Sequence, residues 1–159
     1  MHQPPGTHLA QLNVARALDD MASPLLADFM VALDRVNALA ERSPGFVWRL
    51  KGDSGNATDI RASEEDRFIV NLSVWETPAH LEQFAWNTIH ARVYDKKAKW
   101  FEPMATPHLV LWWVAANHHP TLEEAMSRLD RLTTQGESDE AFGWNRLPGA
   151  HLWRDRRCA

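Results

Sequence analysis

In the stretch SVWETPAHLEQFAWNTIH (Ser73 to His90), Trp86 and His90 stand four residues apart, one helical turn, and Tyr94 and Phe101 continue along the same side. An imidazole set in an aromatic wall can take or give a proton near neutral pH. His90 is therefore the candidate acid or base, with Trp86 and Tyr94 as walls of a substrate pocket. A second set carries amides and a hydroxyl: Gln11 and Asn13 in HLAQLNVA, and Asn71 and Ser73 in RFIVNLSVW, which ends at Trp75. Such groups are costly to bury in a sheet unless they bond to one another, to water or to a ligand. In the ligand reading Asn13 and Asn71 are catalytic partners of His90 that orient a carbonyl or enolate oxygen, and Gln11, Ser73 and Trp75 line the substrate. Each set has an ordinary alternative. A histidine on an apolar helix face is more often a hydrogen-bonded core residue, and a polar sheet face can be solvated or form a dimer interface.

The other chemistry-bearing residues are weaker. His118-His119-Pro120 looks like a metal fragment, but adjacent residues seldom ligate one ion together, so it reads as a loop and no metal site is expected. Glu102 is a further acid at a helix end. Trp48, Trp112 and Trp113 read as sheet and interface packing, since neighbouring tryptophans on a strand point to opposite faces; Trp112 is also carried among the pocket walls. No phosphate loop, dinucleotide fingerprint or nucleophile elbow is present in the sequence.

The elements that must position these residues follow from periodicity. His8 to Ala15 alternates strictly, with Leu9, Gln11 and Asn13 on one side and Ala10, Leu12 and Val14 on the other. Ser23-Pro24 opens a helix with Leu26, Phe29, Met30, Leu33, Val36 and Ala40 as its stripe and Asn37 beside it, stopped by Ser43-Pro44-Gly45. Phe46 to Lys51 reads as a second strand, and Gly52 to Asp66 as an exposed, mobile hairpin loop. Arg67 to Trp75 alternates again. Thr77-Pro78 starts a helix that breaks near Asn87-Thr88 and runs to about Phe101. The apolar run His108 to Ala115 reads as a strand covered on both faces, and Thr121-Leu-Glu-Glu124 as a capping box opening a last helix that ends near Gly136. The tail, 137–159, is expected to pack locally on a core of about 8–135, making 1–159 one domain. This order suggests an α+β, ferredoxin-like split βαβ sheet whose first and third strands lie side by side, placing Asn13 near Asn71 and Ser73.

Composition narrows the function. A chain of 159 residues is long enough to bury roughly two thirds of its surface without staples. The single cysteine, Cys158, excludes an intrachain disulfide and a cysteine-based zinc site. A net charge of -4, with a small basic cluster at Arg92, Lys96, Lys97 and Lys99, argues against nucleic acid. The N-terminal MHQPPGTH lacks the apolar stretch of a signal peptide and no segment reaches membrane-spanning length, so the expected location is the cytoplasm, with no membrane partner. Eight tryptophans are more than a core of this size needs, which points to an aromatic pocket or interface.

At SPGFVWRL, VNLSVWE, the helix carrying His90, and WFEP followed by LVLWWV, the sequence resembles the DUF3291 family of uncharacterised bacterial proteins, from about His8 to Phe142. That family looks like a branch of the dimeric α+β barrel superfamily, with antibiotic-biosynthesis monooxygenases, haem-degrading monooxygenases and small-molecule isomerases. The resemblance implies a homodimer of ferredoxin-like sheets, helices on one face, with an extra C-terminal helix. It also implies an enzyme of the monooxygenase-like or isomerase/cyclase-like type acting on a hydrophobic aromatic or conjugated molecule, by cofactor-free oxygenation in its first version. A non-catalytic ligand-binding homodimer is the alternative, and haem binding or degradation is a third reading. Haem-degrading members use an Asn on the first strand with a Trp and a His on the helix after the third, for which Asn13, Trp86 and His90 stand here. The shorter Trp to His spacing in this chain argues for a general pocket and against haem.

Overall fold

The computed structural model describes residues 1–58, 60 and 67–157, and the side chains of all but the last three of these. Alternating residues form β1 (Thr7–Arg16), which sits in the middle of a four-stranded antiparallel sheet. The others are β2 (Phe46–Arg49), β3 (Phe68–Trp75) and β4 (Leu109–Ala115), in the spatial order β2-β3-β1-β4. This is the ferredoxin-like order expected from the sequence. Register pairs Leu9 with Trp75, Gln11 with Ser73 and Asn13 with Asn71, so the polar residues of the two central strands are cross-strand neighbours. Since side chains alternate across a strand, this register also sets every apolar partner on the opposite face.

Helix α1 (Ala27–Arg42) follows a short 3-10 turn at Pro24–Leu26, and Ser23 gives that turn no side-chain cap. After β3, the Thr77 hydroxyl accepts from the His80 amide and opens α2 (Pro78–Asn87). The helix then stops. Thr88 is extended, its hydroxyl donating to the Phe84 carbonyl and accepting from the His90 amide, and α3 (Ile89–Asp95) starts afresh. Gly45, at φ +72, turns the chain into β2 beneath the His80 ring, where a Cβ would collide with imidazole atoms.

The helix-facing side of the sheet carries two apolar clusters. One gathers Leu9, Val36, Ala40, Trp75, Phe84 and Leu111; the other gathers Ala17, Phe29, Ile69 and Trp100. The opposite side carries one continuous cluster: Ala10, Leu12 and Val14 of β1, Val70, Leu72 and Val74 of β3, and Val110, Trp112 and Val114 of β4. Helix α4 (Leu122–Gln135) covers it with Ala125, Leu129 and Leu132. The implied confinement of helices to one face is corrected here, because α4 from the same chain closes the other face. Thr121 caps α4 by accepting from the Glu124 amide, as the capping box requires.

One further expectation is made specific and another changes. The tail, expected to pack on the core, does so: Phe142 exchanges backbone hydrogen bonds of 2.8 and 2.9 Å with Leu111 along the outer edge of β4, and Phe142, Trp144 and Leu147 are buried in the cluster around Leu9. It continues into α5 (Leu152–Arg157), whose first turn is fixed by the buried Glu82 carboxylate accepting from the Leu152 amide. The near half of the presumed mobile loop is also anchored. Asn56 is buried, its carbonyl oxygen accepting from Asn37 at 2.7 Å and its amide donating to Asp34 at 2.8 Å, so α1 holds the connection leaving β2. The rest of that expectation, residues 59 and 61–66, lies outside the described residues.

Candidate functional site

Between the two apolar clusters on the helix-facing side runs a polar band built by β1 and β3. The Gln11 amide donates to Asn71 Oδ1 at 2.7 Å and to Ser73 Oγ at 2.9 Å, and the Trp75 indole N–H donates to the same Ser73 oxygen at 2.9 Å. Gln11 and Ser73 are only 7% and 6% exposed, Asn13 is half-buried, and Asn71 is exposed. Asn71 is thus exposed on the helix side of a central strand. The hydrogen bonds fix what the band presents there. Ser73 Oγ already accepts twice, so its own proton is left to donate. Asn71 Oδ1 is occupied by Gln11, which turns the Asn71 amide N–H groups outward. Two donors thus stand on a fixed sheet, suited to a carbonyl or enolate oxygen.

The band is linked to His90 through aromatic rings. Trp75 stacks on Phe84 at 5.0 Å between centroids, and Phe84 meets the His90 ring at 5.2 Å. Val93, one turn after His90 on α3, packs against both apolar clusters and so bridges the gap between them. His90 Nδ1 lies 2.9 Å from the Ala85 carbonyl, which can only accept, so Nδ1 carries the proton and Nε2 keeps its lone pair. Burial pushes the His90 imidazole below its ordinary value of 6.5, and the bond to Ala85, which favours the charged form, opposes this only in part. His90 is therefore neutral at pH 7, with its lone pair on Nε2.

The structure rearranges the predicted pair. Because Thr88 separates α2 from α3, Trp86 and His90 do not sit one turn apart on a continuous helix; Tyr94 joins them instead, with its ring 5.2 Å from Trp86 and 6.5 Å from His90. Trp75 is fully buried between Phe46 and Phe84, so it supports the band from beneath and offers no surface to a substrate. Trp112 is removed from the site altogether. It pairs with Ala10, points to the α4 side, is fully buried and donates its indole N–H to Glu124. Glu102 is tied up on the surface with Arg67 at 3.4 Å and Arg16 at 3.9 Å. His118 pairs with Glu124 at 2.7 Å and His119 stacks on Trp48, so the double histidine shapes the loop before α4.

Open clefts of about 490 Å³, at Glu41 and β2, and about 270 Å³, among Glu124, Arg128, Arg131 and Glu140, both lie away from His90. The expectation of a chamber at the His90 ring is met by neither of them. Sequence reasoning missed Phe84, the ring that connects His90 to the sheet. Its position, three residues after the buried Leu81 on α2, was the available signal.

Sheet order, register and helix placement define an α+β protein of ferredoxin-like architecture with an added helix on the second face. The chain belongs to the family described as domain of unknown function (DUF3291), whose model matches residues 8–158. No curated protein matches it. Among solved structures it is similar to SnoaB, described as a cofactor-independent oxygenase from Streptomyces nogalater, at 15% identity over 70% of this chain and 95% of that one, with a TM-score of 0.47. It is also similar to NE2512, a protein of unknown function from Nitrosomonas europaea, at 16% identity over 74% and 99% of the two chains and a TM-score of 0.48. PA3566 from Pseudomonas aeruginosa shares 13% identity over 74% and 100%, with a TM-score of 0.46.

Proposed function

We propose that the polar band of Gln11, Asn13, Asn71 and Ser73 binds a small aromatic or conjugated molecule through an oxygen, and that His90 Nε2 removes an acidic C–H proton from it. The supporting observation is the band itself: an exposed Asn71 on a central strand, with its amide turned outward by Gln11 and a free Ser73 proton beside it. A conjugated carbanion made next to an oxyanion partner can pass an electron to oxygen directly. A methylene compound then becomes a ketone: one oxygen atom enters the product, and the other leaves as water with the two hydrogens lost from carbon. The chain's part in this is a neutral base, oriented donors and a largely apolar wall. A homodimer stays in the reading on the resemblance alone. Haem fits the described residues poorly, since the His90 ring is flanked by Phe84 and Tyr94 and both described clefts lie elsewhere.

Anthrone, with an acidic methylene beside a conjugated carbonyl, is the test compound. Oxygen uptake with anthraquinone formation, above the rate in buffer, is expected from the wild type. His90→Gln keeps a donor for the Ala85 carbonyl but removes the base, and should lower the rate about 10²-fold or more. The second reading is a non-catalytic binder, favoured by the packing of His90 on Phe84 and its bond to Ala85. Saturable binding without turnover in wild type would select it.

A further inference from the structure

The segment from Ile89 to Trp100 carries four cations, Arg92, Lys96, Lys97 and Lys99, against the single carboxylate of Asp95, in a chain whose net charge is -4. Among the described residues, none of the four cations is in an ion pair with a carboxylate. Cations just past the end of α3 are favoured by the helix dipole, and that suffices for most of them. Lys97 does something else. Its ammonium donates to Tyr94 Oη at 2.7 Å and lies 4.0 Å from the centroid of the Tyr94 ring, so it is held at the tyrosine. Tyr94 Oη, having accepted that bond, keeps its own proton to give away. The same Tyr94 ring touches both Trp86 and His90. A positioned ammonium and a committed O–H donor therefore stand together at the rim of the aromatic cluster that holds the proposed base.

We propose that the ligand bears a carboxylate as well as its conjugated ring system, and that Lys97 and Tyr94 recognise that carboxylate. This rests on the reading of the His90 region as a ligand site, and it adds the charge class of the ligand. The ammonium supplies the charge and the phenol the direction, since a lysine alone is a mobile point charge while a phenolic donor has a fixed ring behind it. Attraction of this kind on a partly exposed rim is screened by salt, which gives it a signature that apolar stacking lacks.

The experiment compares equilibrium binding of 2-naphthoate with that of the neutral 2-naphthalenemethanol, to wild type and to Lys97→Met, Tyr94→Phe and Lys96→Met. Wild type should bind the carboxylate about tenfold more tightly, with the preference shrinking severalfold between 20 and 300 mM salt. Lys97→Met should lose most of that preference while changing alcohol binding less than about twofold. Tyr94→Phe, which keeps the ring, should lose part of it, and Lys96→Met, one position away and tied to Tyr94 through its backbone N–H on the Tyr94 carbonyl, should keep nearly all of it. Equal affinities for the two probes in wild type overturn the inference and leave the ligand site standing. Equal losses in Lys96→Met and Lys97→Met overturn it too, because the effect is then diffuse charge. Failure of both probes to bind wild type overturns the ligand site and this inference together.

Discussion

The two faces of one sheet are built to different rules. On the α4 side, nine side chains from β1, β3 and β4 form an unbroken apolar grid, Ala10, Leu12, Val14, Val70, Leu72, Val74, Val110, Trp112 and Val114, and α4 closes it from the same chain. On the α1 and α3 side the same strands offer Leu9 and Trp75 at one end and Ile69 at the other, with Gln11, Asn13, Asn71 and Ser73 between. Stability is concentrated where the pattern is uniform, and polar groups are accommodated where it is broken. Keeping Gln11 and Ser73 buried forgoes apolar contact that an aliphatic pair would provide, which makes sense if the band has work to do beyond folding.

Adjacent residues on β3 sharpen this contrast most. Leu72→Ala should cost about 2–5 kcal/mol in urea unfolding, whereas Asn71→Ala, one position along on the other face, should cost about 1 kcal/mol or less. Comparable losses at the two positions would erase the distinction between the faces. Gln11→Ala should fall between, at about 1–2 kcal/mol, because it leaves the buried Ser73 Oγ one donor short; a Gln11→Ala, Ser73→Ala double variant should cost less than the sum of the two singles. Thr88→Ala should cost about 1 kcal/mol by removing the cap of α3 and the bond to the Phe84 carbonyl, while shifting the fluorescence of the Trp86 and Tyr94 pair. The smallest effect concerns acid. His90 is depressed in the folded state relative to 6.5, so its contribution to stability is complete above about pH 6.5 and is lost as pH falls through the lower folded value. Unfolding midpoints measured from pH 7.5 down to 5 should decline more gently in His90→Gln than in wild type.

How much of this could be read beforehand depended on the range of the interaction. Alternation in HLAQLNVA and RFIVNLSVW determined which residues share a face, and the split βαβ order then made Asn13 and Asn71 neighbours, as found. Local signals at Thr77, Thr121 and the Asn87-Thr88 break were also legible, since caps act within a turn. What failed was long-range. Nothing in the amphipathic stripe of α4 says which surface it will cover, and that single choice put a helix on the second face of the sheet. Trp112 was misplaced because its strand is apolar on both sides, and a run without alternation gives no parity. The Trp86 and His90 pair was drawn one turn apart although the legible break at Asn87-Thr88 lies between them, and a spacing of four shares a face only on a continuous helix. The tail's docking place was not legible, because Phe142 gains it by pairing with Leu111, thirty-one positions earlier.

The claim that one face receives a ligand and the other only holds the fold is tested most directly by titrating ¹⁵N-labelled protein with 2-naphthalenemethanol, since side-chain amides and indoles report each face separately. Saturable shifts are expected in the Gln11 and Asn71 amide pairs, the Trp86 indole and the His90 ring, with the Trp112 indole on the α4 side unmoved. Shifts at Trp112, or a titration that leaves Asn71 and His90 unchanged, would contradict it.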